Sequence, residues 1–159
     1  MTLVGAVRVR NIKNAMEIDD QKKKVLDFIK SKRLAVLSTL GTHGFPEAAV
    51  VGISELEDLS LIFGTFNTFR KYKNIKTNPR VALVIGWDNH ITLQYEGIAT
   101  ELTGDEKKKA EQVHIHKLPN SQKFAELPEQ CYFKVKPTWI RYTDYSNESV
   151  YVDVFEITF

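Results

Sequence analysis

Cysteine is nearly absent from the sequence, which contains only Cys131 among its 159 residues. A single cysteine cannot form an internal disulfide, so nothing indicates an oxidising compartment, and we expect a cytoplasmic protein. The surrounding residues, QCYFKV, have the apolar character of a strand, and a free cysteine in such a setting is usually buried and inert. The sequence therefore gives no reason to regard Cys131 as a nucleophile.

Long apolar runs are also absent. No window approaches the roughly 18 consecutive apolar residues of a membrane span. The N-terminal stretch MTLVGAVRVRNIKNAMEIDD begins with apolar residues, but Arg8 and Arg10 interrupt it and no cleavage site follows. We therefore expect neither a signal peptide nor a membrane partner.

The chain has little excess charge, because 22 basic residues face 20 acidic ones and the formal net charge is +2. This balance excludes the overall positive field of a dedicated nucleic-acid binder, and we expect no nucleic-acid partner. With 43% hydrophobic and 26% charged residues, 8 glycines and 5 prolines, the composition excludes disordered and fibrous classes. The length suits a single domain, residues 1–159, with a core of its own.

Periodicity predicts a mainly β domain with a few helices. Helices are predicted for 19–32, capped by Asp19 or Asp20, for 68–78, and for 103–117, where Thr103 and Glu106 have capping-box spacing. Short apolar or alternating runs predict strands at 33–40, 46–54, 59–65, 81–85 and 90–102, with one or two more in 130–144 and 149–159. Together these elements predict one antiparallel barrel with flanking helices, of the α+β class.

A basic cluster begins the helix between the third and fourth strands. In TFRKYKNIKTN, Phe69, Tyr72 and Ile75 form an apolar face, and Thr68 is the candidate N-cap. Arg70 and Lys71 fall in the first turn, where cations oppose the helix macrodipole. Three interpretations remain open: a solvated surface, a patch for nucleic acid, or a pocket where an anion such as phosphate relieves the conflict.

Several short motifs appear in a characteristic order along the chain: Gly44-Phe45-Pro46, Gly64-Thr65, Arg70-Lys71, Asn78-Pro79-Arg80-Val81, Trp87 and Gln94. In this order and spacing the chain resembles the pyridoxamine 5'-phosphate oxidase-like, FMN-binding split-barrel family, over about residues 20–103. The resemblance implies a six- or seven-stranded antiparallel split β-barrel. It also implies a homodimer with the cofactor at the interface.

The resemblance assigns the FMN site residue by residue. The strand containing Ala49, Val50, Val51, Gly52 and Ser54 would run beside the isoalloxazine and ribityl chain. Gly64 and Thr65 would close over the phosphate side, and Arg70 and Lys71 would be its charged ligands. Gln94 would reach the flavin or its phosphate from the neighbouring wall. Trp87 and Trp139 are expected in the core or an interface.

The sequence departs from the true pyridoxamine phosphate oxidases at substrate positions. The true enzymes of the family that this chain resembles carry Arg where it has Ala49 and Lys where it has Ser54. They also have a C-terminal Arg-x-His arrangement that this chain lacks. The resemblance therefore implies a flavin-dependent oxidoreductase or reductase acting on an unknown small molecule, with NAD(P)H as a candidate reductant, and not pyridoxamine 5'-phosphate oxidation. Two alternatives stay open: a non-catalytic flavin- or haem-binding protein, and a deazaflavin-dependent reductase that would also use Lys73.

No residue is assigned as a catalytic acid or base, and no metal site is expected. The HIH sequence at 114–116 suggests a metal ligand pair, but side chains two apart on a helix face different directions. We therefore expect His114 and His116 to be solvated.

Overall fold

The computed structural model describes residues 8–146 and 150–159, so residues 1–7 of the expected domain and Ser149 of the last predicted strand lie outside it. Its nine strands are β1 Arg8–Asn11, β2 Leu34–Leu40, β3 Pro46–Gly52, β4 Ser54–Glu55, β5 Leu61–Phe66, β6 Arg80–Ile85, β7 Ile91–Glu101, β8 Gln130–Asp144 and β9 Tyr151–Thr158. Eight of these correspond to predicted runs, because 46–54 became β3 and β4. The short β1 was not predicted.

The strands form a barrel whose order the sequence pattern did not reveal. Neighbouring strands pair in the order β3-β2-β6-β7-β8, and β8 also pairs with β5, which pairs with β4. Since β4 directly continues β3, the segment 46–55 joins both ends of this series and closes it. The barrel pairings are antiparallel, as expected, whereas β1 pairs in parallel with β9 on the outer flank.

The barrel interior contains the main apolar core, and its largest side chains are aromatic. Phe63 and Phe133 stack with ring centroids 5.4 Å apart. Burial of such side chains removes them from water and contributes about 1.5–3 kcal/mol for each. The buried cluster includes Ala35, Leu37, Val51, Ile53, Leu61, Phe63, Leu83, Ile85, Leu93, Tyr95, Phe133, Val135 and Ile140.

Four helices flank the barrel: α1 Ile18–Lys30, α2 Arg70–Thr77, α3 Gly104–Lys117 and α4 Gln122–Ala125, with 3-10 turns at Lys13–Ala15 and Pro119–Ser121. α1 seals one end of the core with Val25 and Ile29. α3 covers the outer face of β5 and β8, where Ala110 packs in a second cluster with Ile62 and Tyr132. Among the described residues, no helix combines the length and apolar character that a membrane crossing requires.

The predicted helix caps were wrong in detail. α1 is capped by Glu17 and α2 by Phe69, so Asp19, Asp20 and Thr68 do not occupy the cap positions assigned to them. Thr103 does precede α3, but its side chain makes no capping bond. In each case no side chain accepts a hydrogen bond from the first amides of the helix. These helices are therefore stabilised mainly by packing against the barrel.

The two tryptophans lie outside the buried core. Trp87 is exposed, and Trp139 is half-buried with its indole Nε1 donating to Glu156 at 3.3 Å, so an interface position stays a prediction for both. On α2, Ile75 is buried and Tyr72 packs against the core. Phe69 is instead exposed, because it precedes the helix and turns toward the barrel split.

Candidate functional site

A split separates β3 from β5 on the side of the barrel beside α2 and α3. Within the described strands, β3 pairs only with β2, and β5 pairs only with β4 and β8. Two clefts adjoin in this split, because Phe69 and Lys71 line both of them. We call them the α2 cleft and the α3 cleft, after the helix that borders each.

The α2 cleft has a volume of about 540 Å³, and the α3 cleft about 340 Å³. Both lie within the range of roughly 300–1,000 Å³ that is typical of small-molecule sites. The α2 cleft is lined by Leu37, Thr39, Glu47, Ala48, Ala49, Thr68, Phe69, Arg70 and Lys71. The α3 cleft is lined by Val50, Val51, Gly52, Gly64, Thr65, Phe66, Phe69, Lys71, His114, Leu118, Asn120, Ser121, Lys123, Phe124, Gln130 and Tyr132.

An ion pair in the α2 cleft was not foreseen from the sequence. Arg70 Nη2 donates to Glu47 Oε1, while Glu47 Oε2 accepts a hydrogen bond of 2.9 Å from Asn74 Nδ2. Asn74 also donates to Thr39 Oγ1 at 3.0 Å, which fixes its amide. The Arg70 side chain is 83% exposed, so the pair contributes at most about 1 kcal/mol and can be exchanged for another anion.

Lys71 is a cation of the split that has no carboxylate partner among the described residues. Its Nζ lies 4.7 Å from the centre of the Phe69 ring, and no described residue forms an ion pair with it. Burial lowers the pKa of Lys71 because the ammonium is partly removed from water. A partly desolvated cation without a counter-ion is a favourable position for an anionic ligand group.

The first turn of α2 adds backbone donors next to Lys71. The amides of Arg70 and Lys71 begin the helix, so no carbonyl within the helix can accept from them. The turn before the helix is closed by Phe69 N donating to Phe66 O at 3.0 Å, which leaves those two amides free. The predicted conflict of cations with the macrodipole is thus relieved for Arg70 by Glu47, whereas no carboxylate of the described structure relieves it for Lys71.

In the α3 cleft, a buried hydroxyl has no partner. Thr65 is 5% exposed, and its Oγ1 makes no hydrogen bond within the described chain. Two glycines keep the cleft walls close together, since a Cβ on Gly52 would lie 2.8 Å from Leu118 Cδ1 and one on Gly64 would lie 2.6 Å from Gln130 Nε2. The glycines thus make room for the side chains of Leu118 and Gln130, and the orphaned hydroxyl suits a bound molecule with polar groups.

His114 corrects a sequence-based expectation. It is 4% exposed, and its Nδ1 lies 3.1 Å from the buried Ser54 Oγ, so it is not solvated as predicted. Burial, with a smaller contribution from the charge of Lys117, lowers the pKa of His114 to about 4. The imidazole is therefore neutral at physiological pH, whereas His116 is exposed as expected.

The positive charge nearest His114 on α3, that of Lys117, has a carboxylate partner on β4. Lys117 Nζ pairs with Glu55 Oε2 and donates to Ile29 O at 3.1 Å. Burial lowers the pKa of Lys117, and the hydrogen bond to Glu55 opposes that effect. This pair holds the end of α3 against the barrel, directly beside the imidazole.

Of the ten predicted site residues, eight line the two clefts: Ala49, Val50, Val51, Gly52, Gly64, Thr65, Arg70 and Lys71. Ser54 lies behind the wall of the α3 cleft, bonded to His114. Gln94 lies elsewhere, in β7 opposite Val84 of β6, with its side chain exposed on the outer face of the sheet. Among the described residues, no cluster of His, Cys, Asp and Glu could hold a metal ion.

The chain is similar to several known proteins. Residues 21–144 match a family model described as pyridoxamine 5'-phosphate oxidase, and a search of curated proteins gave no match. A haem-binding protein from Mycobacterium smegmatis superposes with a TM-score of 0.75 at 16% identity, over 86% of this chain and 57% of its own. A putative pyridoxamine 5'-phosphate oxidase from Listeria innocua gives 0.65 at 20% identity, over 80% and 99%. General Stress Protein 26 from Bacillus anthracis gives 0.64 at 24% identity, over 77% and 92%.

These structural likenesses establish the fold. Since this chain spans 57% of the length of the Mycobacterium smegmatis protein, nearly half of that protein has no counterpart here. The Listeria innocua and Bacillus anthracis proteins, by contrast, are matched over almost their whole lengths.

Proposed function

Because the chain belongs to the pyridoxamine 5'-phosphate oxidase family, we propose that it is a single-domain flavoprotein that binds FMN non-covalently in the split of its barrel. One observation carries this proposal: the Lys71 ammonium lies where the two clefts meet, beside free amides of α2 and without a carboxylate partner among the described residues. A helix start with an unpaired cation favours a phosphate dianion. The terminal phosphate of FMN is the proposed occupant.

The other donors at the junction fit the same group. Thr65 Oγ1 has no partner within the described chain, and Arg70 can leave the exposed Glu47 pair at little cost. The carboxylate of Glu47 works against anion binding in the α2 cleft, so Lys71 carries the larger share of the phosphate contact. Arg70 has the secondary share.

The isoalloxazine ring is proposed to lie along β3 in the α3 cleft. The edge of β3 that faces β5 has no strand partner in the described structure, so its amides and carbonyls around Val50–Gly52 remain available to ring atoms. This use of the backbone requires no particular side chain, which agrees with the small residues found there. Phe66, Phe124 and Tyr132 supply the apolar walls.

Bound FMN would supply hydride and single-electron transfer, which no side chain of the protein can perform. The chain's own residues bind the phosphate, hold the ring against β3 and exclude water from the α3 cleft. We propose a flavin-dependent oxidoreductase that transfers electrons from a reductant such as NAD(P)H to a small molecule. No described residue has the position of a catalytic acid or base, and none is assigned.

Pyridoxamine 5'-phosphate is not the proposed substrate. The positions where the resemblance implies cationic substrate contacts carry the methyl group of Ala49 and the hydroxyl of Ser54, which is bonded to His114. Neither can neutralise a second phosphate group. The substrate is therefore proposed to lack that phosphate.

A homodimer is proposed to complete the site. The outer sheet face exposes apolar side chains, including Leu40, Val84 and Ile98, and Gln94 lies on this same face opposite Val84. A second copy that covers the face would bury these side chains and could receive Gln94 at its own cleft. Molar mass by light scattering tests this directly, because a monomer at micromolar concentration contradicts it.

Haem binding is the second candidate, favoured by His114. If its proton is on Nδ1, facing Ser54 Oγ, the neutral imidazole can offer Nε2 to haem iron as an axial ligand, and Lys71 and Lys123 could pair with propionates. One fold relative is a haem-binding protein. An absorption spectrum of the purified protein separates the candidates, since a Soret band indicates haem and a pair of bands typical of oxidised flavin indicates FMN.

The decisive experiment is an FMN titration followed by flavin fluorescence. Loss of a charge-assisted contact costs about 1.5–3 kcal/mol, so Lys71→Ala should weaken FMN binding by about 10- to 100-fold. Arg70→Ala should have a smaller effect, because Arg70 already has a partner in Glu47.

The matched control is Lys73→Ala, which removes an exposed lysine from the same helix and should leave FMN affinity unchanged. Equal losses from Lys71→Ala and Lys73→Ala would show that only general charge matters. Protein that binds haem and takes up no FMN would contradict the flavoprotein proposal itself.

A further inference from the structure

His114 presents one free ring nitrogen toward the α3 cleft. A Cβ built on Gly52 would lie 3.9 Å from both Cε1 and Nε2 of His114, and both residues line the cleft. The other nitrogen, Nδ1, is occupied by Ser54 Oγ at 3.1 Å. Within the described chain Nε2 forms no hydrogen bond, so this nitrogen is available to a ligand in the cleft that His114 lines.

The Ser54 contact determines which nitrogen carries the proton. Ser54 is buried, and His114 Nδ1 is the sole hydrogen-bond partner of its hydroxyl within the described chain. If Nδ1 carried the proton, the buried hydroxyl hydrogen would have no acceptor, which is costly. The hydroxyl therefore donates to Nδ1, and the proton of the neutral imidazole is on Nε2.

The packing around His114 holds the ring in this orientation. Its ring meets Tyr132 edge to face, with centroids 5.7 Å apart, and the Lys117–Glu55 pair fixes the helix one turn further on. No carboxylate of the described residues lines the α3 cleft, whose walls combine aromatic rings such as Tyr132 with polar side chains such as Asn120 and Gln130. Nε2–H is thus a donor held in a fixed position at the wall of the α3 cleft.

We propose that His114, through Nε2–H, is the donor that recognises the acceptor edge of a planar conjugated ring in the α3 cleft, and that Ser54 is the positioning residue that fixes its tautomer. The ligand class is a heteroaromatic ring with a carbonyl oxygen or imine nitrogen at its edge. This proposal rests on the proposed flavoprotein function. In it, His114 contacts the ring of the cofactor and Lys71 contacts its phosphate.

Riboflavin and FMN as paired probes separate the two ends, because riboflavin has the ring without the phosphate. Loss of a buried donor to a ring acceptor costs about 1–2 kcal/mol, so His114→Leu should weaken both riboflavin and FMN binding by about 5- to 30-fold. Lys71→Ala should weaken FMN binding alone. His114→Gln, whose amide can donate from a similar position, should recover most of the lost affinity.

The controls distinguish recognition from stability. His116→Leu changes an exposed histidine of the same helix and should alter neither affinity, while urea unfolding of each variant without ligand checks that it is folded. If His114→Leu does not fold, Ser54→Ala gives the test, since release of the tautomer should weaken both flavins severalfold and shift the visible band of the bound flavin.

Three results would overturn the proposal: unchanged affinities in a folded His114→Leu, a loss confined to FMN, or no recovery with His114→Gln. Wild-type protein that binds neither flavin would instead refute the flavoprotein function. The two failures are therefore distinguishable.

Discussion

The buried imidazole of His114 should make the stability of the protein fall as the pH is lowered. The pKa of His114 is about 4 in the folded protein against an ordinary value of 6.5. The unfolded chain therefore binds a proton that the folded chain rejects. The stabilisation is complete above pH 6.5, declines as pH falls toward 4, and is lost below it.

The magnitude follows from the same two values. The full difference corresponds to about 3 kcal/mol, and about 2 kcal/mol should already be lost between roughly pH 7.5 and pH 5. For a protein of this size, that loss equals a fall of about 4–8 °C in melting temperature. Urea unfolding at the two pH values, followed by far-ultraviolet circular dichroism, measures it.

The comparison that isolates His114 uses two variants on the same helix. In His114→Gln the amide can still accept from Ser54 and does not titrate, so the pH dependence between those values should shrink by about 2 kcal/mol. His116→Gln, at an exposed position, should behave like wild type. If His114→Gln retains the wild-type pH dependence, the imidazole is not the group that the fold keeps neutral, and the reasoning from burial fails.

Three further substitutions test the cleft. Gly52→Ala should lower flavin affinity by at least tenfold, because the new Cβ would lie 2.8 Å from Leu118 Cδ1 and force this side chain of the cleft wall to move; an FMN titration measures this. Thr65→Val should raise the melting temperature of the ligand-free protein, since removal of an unpaired buried hydroxyl recovers about 1 kcal/mol, and should weaken FMN binding. Glu47→Gln should strengthen FMN binding about 2- to 5-fold by releasing Arg70 from its ion pair, with riboflavin binding unchanged.

Each of these expectations has a contrary result. Wild-type affinity in Gly52→Ala would mean that the ring does not approach β3. A Thr65→Val protein that is less stable than wild type would mean that the hydroxyl has a partner such as a water molecule. Equal gains for riboflavin and FMN in Glu47→Gln would place the carboxylate near the ring instead of the phosphate.

The local elements of the fold could be read from the sequence because each has its own period. The alternation of HITLQYEGIATEL matches β7, and the apolar stripe of DDQKKKVLDFIKSK matches α1. The barrel closure could not be read in this way, because it depends on the pairing of Ser54 and Glu55 with β5. Only the three-dimensional structure shows that the continuous segment 46–55 pairs with both β2 and β5.

Residues close in sequence could be grouped from the sequence, whereas partners brought together by folding could not. Arg70 and Lys71 were identified because their position at a helix start is visible in the sequence. Glu47 was missed, since it meets Arg70 across 23 positions. His114 was missed because α3 buries only it and Ala110, and so narrow a face gives no clear apolar periodicity; their spacing of four was the available signal.

The manner in which β3 continues into β4 has a mechanical consequence. The main-chain groups of β3 pair with β2, and those of β4 pair with β5. The seam between β3 and β5 therefore has no main-chain hydrogen bonds between strands. Prising that seam apart costs only side-chain contacts and leaves the rest of the cylinder intact. A change in the width of this seam would therefore leave the hydrogen-bonded strand pairs of the barrel unchanged.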